Sequence, residues 1–279
     1  HHPKTPLMTI QTRLTDTQAL ARYRARSDRS ALFLQESAAD EIQDRLDMVN
    51  RTFTAPAVVT PFPEVWDTRL ADARIVADKD TLDLEVGKHD LVIHSLSLHW
   101  ANDPVGQLIQ ARRSLKPDGL MICATLGGQT LEELRACLGQ SEIKLSGGLS
   151  PRVAPMGEIR DLGALLQRAG FALPVADSIK LDVAYRDAFH LMRDLRRMGE
   201  ANALEQRDRR IPSARLFEHA NDIYQDAYPA TDERIKATFE MVFLTGWAPD
   251  ESQQKPLRPG SAKQRLADAL SVPETPLRD

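Results

Sequence analysis

The sequence predicts an α/β protein built on a mostly parallel sheet with an antiparallel C-terminal strand. Three observations carry this expectation. The apolar run Asp90 to Leu96 reads as a buried strand, and a helix start follows at Asp103-Pro104. The chain then returns through the turn Lys116-Pro117-Asp118-Gly119 to a second apolar run, Leu120 to Leu126. This rhythm of strand, helix, turn and strand is that of parallel strands joined by right-handed crossovers. Near the end, Ile235, Ala237, Phe239, Met241 and Phe243 alternate with Lys236, Thr238 and Glu240, as in a strand with one wet face.

The elements follow in order. Residues 1–7 read as the remnant of a purification tag before a native start at Met8. Residues 8–54 form an N-terminal helical segment in which Ala31, Leu32, Leu34, Ala38, Ile42, Leu46 and Val49 recur at three- and four-residue steps. Its arginines, Arg13, Arg22, Arg24, Arg26 and Arg29, make either a solvated face or a basic arm for an acidic partner. A short β-type run, Ala57-Val58-Val59, is closed by Pro61 and Pro63, and Ile75-Val76 centres another strand. Asp103 caps a helix with proline at its first position, where the missing N–H removes no bond. A helix is expected over Thr130 to Leu138 and another over Met156 to Ala169, the latter closed by Gly170 in a left-handed cap. Pro174 to Ala184 reads as a strand, and the span near 186–228 as a helical insertion before the final strand. The main domain is expected over 55–262 and a tail over 263–279.

Composition excludes several function classes. With 42% hydrophobic residues among 279, the chain supports a substantial core. A net charge of −4, from 36 basic against 40 acidic side chains, is not that of a dedicated nucleic-acid binder. No apolar run approaches the roughly 20 residues that span a bilayer, so membrane insertion is not expected. The two cysteines, Cys123 and Cys137, have no ligand-type neighbours at metal-binding spacing, and read as buried thiols of a reduced compartment; no metal is expected.

The series Asp90-Leu-Val-Ile-His-Ser-Leu-Ser-Leu-His-Trp100, then Asn102-Asp103 and Leu115-Lys-Pro-Asp-Gly119, resembles the fourth strand, following helix and fifth strand of class I S-adenosylmethionine (SAM) methyltransferases. Its Ser-Leu-His-Trp form is similar to a narrower branch, that of the biotin-pathway malonyl-carrier-protein O-methyltransferases and the methyltransferase-fold assembly factors of mitochondrial respiratory complex I. The likeness continues through Gly127-Gly128-Gln129-Thr130-Leu131, Gly147-Gly148-Leu149-Ser150-Pro151, Met198-Gly199-Glu200 and Gly246-Trp247, into Glu251-Ser252-Gln253, Pro256 and Gly260-Ser261-Ala262. The resemblance implies a Rossmann-like sheet, SAM as cofactor, and a protein substrate or partner, in the mitochondrial branch a subunit of complex I whose arginine is hydroxylated. It implies a cytoplasmic location of bacterial type or its mitochondrial-matrix equivalent.

The sequence departs from this family where the cofactor binds. A SAM-type fold needs glycines after its first strand, so that backbone approaches the ligand and a helix N-terminus faces it. Here Val59 runs into Thr60-Pro61-Phe62-Pro63-Glu64-Val65-Trp66, and the next glycine is Gly87. The stretch from Val59 to Asp90 is also too short for two crossovers, since one βαβ unit takes roughly 30 residues. A truncated first βαβ unit follows. No clear equivalent of the ribose-binding acid at the end of the second strand remains.

Candidate site residues come from the retained edge. By the resemblance Asp78 lies where the family places an acid near adenine; a loop-capping role competes. Ser95, Leu96, Ser97, His99 and Trp100 lie at the carboxyl end of a central strand, where ligands of open α/β sheets collect. Ser95 and Leu96 are assigned to the cofactor if SAM binds. His99 is either a base or a packed histidine beside Trp100. Trp100, Arg196 and Arg197 are assigned to substrate or partner, the arginines within the set Arg193, Arg196, Arg197, Arg207, Arg209 and Arg210, for which a solvated helix face is the competing reading. Two functions follow: a non-catalytic protein-binding or assembly factor, which the cut-down cofactor half favours, and an active SAM-dependent methyltransferase or protein-arginine hydroxylase.

Overall fold

The computed structural model describes residues 13–253. The chain divides into two compact units, 1–249 and 250–279. Of the second, the described part is a short turn in which Asp250 accepts a hydrogen bond from Ser252 N at 2.8 Å. The segment expected as a tag remnant at 1–7, the matches at Pro256 and Gly260-Ser261-Ala262, and the expected tail at 263–279 lie outside the described residues.

Among the described residues the first unit has six strands: β1 (Pro56–Val59), β2 (Arg74–Val76), β3 (His89–Ser95), β4 (Leu115–Leu126), β5 (Ala172–Tyr185) and β6 (Ile235–Trp247). They are ordered β2-β1-β3-β4-β6-β5. β1 pairs in parallel with β2 and β3, and β3 with β4; β6 runs antiparallel to β4 and β5. The strands expected as fourth and fifth are therefore the third and fourth of the chain, one strand short of the family's count. The connection from β1 to β2 carries no α-helix, only a 3-10 turn at Pro63–Val65.

Among the described residues seven α-helices accompany the sheet: α1 (Thr17–Ala25), α2 (Phe33–Met48), α3 (Pro104–Ser114), α4 (Glu132–Ser146), α5 (Ile159–Ala169), α6 (Ala188–Arg197) and α7 (Ala214–Ala227). Successive residues of a strand point to opposite faces, which splits the core in two. Val58, Leu91, Ile93, Leu120 and Ile122 join side chains of α2, α4, α6 and α7, whereas Ala57, Val92, Met121 and Cys123 join those of α3 and α5.

Local chemistry accounts for most boundaries. Asp103 accepts from Gly106 N at 2.8 Å and Pro104 opens α3. Asp103→Ala is expected to lower stability by about 1 kcal/mol, read as a lower urea midpoint at unchanged slope. Gly170 closes α5 at φ 83, a conformation that glycine adopts without a Cβ clash. Four boundaries differ from the sequence expectation. The N-terminal helical segment is two helices, because Asp28 accepts from Ser30 N at 2.9 Å and is held by Arg197 at 2.6 Å, so the chain restarts there. The tetrad Lys116-Pro117-Asp118-Gly119 is an excursion within β4, between the pairs His89↔Leu115 and Leu91↔Leu120. Asp118 takes φ 59 in it. The helix expected over Met156 to Ala169 begins only at Ile159, and the one expected from Thr130 begins at Glu132 and runs to Ser146.

Candidate functional site

The chain leaves β1 toward β2 on one side and leaves β3 toward β4 on the other, so the connections from the carboxyl ends of these two paired strands go opposite ways. Such switch points are where open α/β sheets form ligand crevices. A cleft of about 660 Å³ lies there. Thr60 and Pro61 line it after β1, Asp78 and Lys79 after β2, Ser97 and Trp100 after β3, with Arg24 from α1 beside Asp78.

The segment after β1 is filled with side chains. Phe62 and Val65 are buried, and Trp66 is fully so. The Trp66 indole N–H donates to Ser95 Oγ at 3.1 Å, so Ser95 serves the core from the end of β3. Leu96, the next residue, turns into the left-handed region at φ 43. Its N–H donates to Ala124 O at 2.9 Å and its carbonyl accepts from Gln35 Nε2 at 3.2 Å. Strained non-glycine backbone of this kind persists only where its surroundings hold it, and it concentrates at functional edges.

Asp78 is paired with Arg24 at 2.7 Å, and both side chains are nearly buried, at 13% and 11% exposure. Arg24 Nε and Nη2 are buried with no hydrogen-bond partner. The other arginines of that set, Arg13, Arg22, Arg26 and Arg29, are exposed.

His99 is buried, with Nε2 3.1 Å from Glu200 Oε2. The Trp100 indole N–H donates to the same oxygen at 2.7 Å, and the two rings lie 5.8 Å apart. Burial pushes the Glu200 carboxyl up, but the neighbouring His99, Arg24 and the Trp100 N–H outweigh it and hold the group below its ordinary value. Arg197 is committed to Asp28 and Ser30. Arg207 and Arg209 meet Asp16, Arg210 meets Asp208, and Arg196 is exposed. The arginine set is thus distributed over several separate pairs.

One polar chain escapes sequence reasoning. His94, fully buried in β3, bonds Gln107 Oε1 through Nε2 at 2.7 Å, and Gln107 Nε2 donates to Lys79 O at 3.1 Å. Burial lowers the His94 pKa, so the ring is neutral at pH 7. A histidine inside an apolar run carries no signal of its partner; the polar face of α3 at Gln107 was the sole hint. Cys123 and Cys137 are free and buried, and burial pushes the Cys137 thiol up to about 11. Among the described residues no group of three or more His, Cys, Asp or Glu is placed to hold a metal, and no helix is long and apolar enough to cross a membrane.

A parallel sheet with this switch point, an antiparallel last strand and a cleft at the β1 and β3 ends defines a class I methyltransferase fold, and residues 47–123 match the methyltransferase domain family. The chain belongs to the methyltransferase family. It is 32% identical over 215 residues to the malonyl-[acyl-carrier protein] O-methyltransferase of a Methylovorus species, covering 77% of this chain and 69% of that one. It is 40% identical over 204 residues to the mitochondrial arginine-hydroxylase NDUFAF5 of Danio rerio, covering 71% of this chain and 61% of the relative. To the Dictyostelium discoideum protein of the same name it is 44% identical over 180 residues, 64% of this chain and 41% of the relative. The chain therefore spans less than two thirds of these two arginine-hydroxylases.

Proposed function

We propose that this chain is a methyltransferase-fold protein whose SAM site is degraded, and that it acts by binding another protein, as an assembly factor of the respiratory complex I type. The observation that carries the reading is the segment Thr60 to Trp66. Where a SAM-type fold leaves backbone N–H groups open toward the ligand, this segment has two prolines without N–H and buries Phe62, Val65 and Trp66 into the core. Two further observations support it. Asp78, the acid the resemblance assigns to adenine, is already neutralised by Arg24. The Ser95 hydroxyl accepts from the Trp66 indole, and the Leu96 N–H and carbonyl are bonded to Ala124 and Gln35, so these groups already serve the core. These residues do not fit the amino-acid and ribose ends of SAM. The partner is a protein, and the compartment is the bacterial cytoplasm or the matrix that corresponds to it.

The 660 Å³ cleft favours a second reading, a SAM-using methyltransferase or protein-arginine hydroxylase with Asp78 on the cofactor and His99 as base. Calorimetric titration separates the two. The first expects no heat of binding up to millimolar SAM. Saturable micromolar binding that is lost in Asp78→Asn would overturn it and establish the second.

A further inference from the structure

Trp100 lines not only the cleft but also a second cavity, of about 210 Å³. Its apolar walls include Leu134 of α4, Met192 of α6, Phe217 of α7 and Phe239 of β6. This chamber exceeds the roughly 150 Å³ of an engineered apolar cavity that stays dry and admits benzene. The apolar side chains of these walls favour an apolar occupant.

Three charged side chains stand on the lining, and they are not equivalent. The Glu200 carboxylate accepts from Trp100 and His99, so its charge is already met. Arg152 is held by Glu142 at 2.7 Å. Arg196 is exposed, so it marks where the chamber meets solvent, and among the described residues it takes part in no ion pair. The one uncompensated charge of the site is a cation at the mouth of an apolar chamber.

We propose that this chamber binds a single-chain amphiphile with an anionic head, of the medium-chain carboxylate class, its chain among Leu134, Met192, Phe217 and Phe239 and its carboxylate on Arg196. Such a ligand satisfies both halves of the site: burial of the chain supplies affinity, and the guanidinium forms a charge-assisted bond with the head. The inference does not depend on whether SAM binds, because the chamber and the cleft share only Trp100.

The test is calorimetric titration of the full chain with octanoate and with 1-octanol, which has the same chain and no charge. Wild-type protein is expected to bind octanoate saturably, and Arg196→Glu to bind it about tenfold more weakly or worse, while 1-octanol binds both proteins alike. Ala201→Trp, at a partly exposed position on the lining, is expected to block both ligands. Circular dichroism checks that each variant is folded; Arg196 is exposed, so its substitution carries the test if Ala201→Trp does not fold. Absence of saturable octanoate binding to the wild type overturns the proposal. So does octanoate affinity unchanged in folded Arg196→Glu, or 1-octanol weakened in that variant as much as octanoate.

Discussion

Replacing Trp66 by alanine is expected to destabilise the protein by about 3–5 kcal/mol, the range for large buried aromatics. Trp66 is fully buried in the larger core, among side chains of α2 and β3, and its indole N–H is bonded to Ser95. Truncation removes the apolar contact and leaves a void that a sheet edge braced by β1 and β3 cannot close. Ser95→Ala, which removes only the acceptor, is expected to cost about 1–3 kcal/mol by leaving the indole N–H unsatisfied. Urea denaturation of both variants reads the difference. A loss below about 1 kcal/mol in Trp66→Ala would mean that the segment after β1 is not a core element, and the principal argument against a SAM site would go with it.

Removing the carboxylate of Glu200 is expected to have an effect of similar size. Glu200→Ala strands the Trp100 and His99 nitrogens in a buried site and is expected to cost about 1–3 kcal/mol for each group left unsatisfied. The pH dependence gives a separate check. The folded-state pKa of Glu200 is held below its ordinary 4.5. A group depressed in this way stabilises the fold fully above its unfolded value, and that contribution disappears as pH falls through the folded one. Wild-type stability should therefore decline on acidification below about pH 4.5 more steeply than that of Glu200→Gln, which has no charge to lose there. Equal acid slopes in the two proteins would contradict the assignment of Glu200 as the charged anchor of His99 and Trp100.

Both residues illustrate how unevenly the molecule could be read from its chain. Trp66 lay in the stretch singled out for its missing glycines, yet nothing local said that its ring would turn inward onto Ser95. Glu200 stood in a recognisable tripeptide without a role, because its partners His99 and Trp100 are about a hundred residues away. Arg24 appeared as one of several arginines on a polar helix. Only packing of α1 over the carboxyl end of β2 brought it to Asp78, across 54 residues of chain.

The elements around β3, α3 and β4 were legible because their causes are local: apolar runs, an Asp-Pro helix start and a turn-forming tetrad each act within a few residues. The final strand was legible from strict alternation for the same reason. Register was not, and so Lys116 to Gly119 became an excursion within a strand, since whether a turn ends a strand depends on the neighbour it pairs with. By itself, then, the sequence determined the class of fold, the shortened first unit and the edge where the site lies. Tertiary structure alone decided which polar groups at that edge are already spent on one another, because burial and pairing are properties of surfaces that meet from distant parts of the chain.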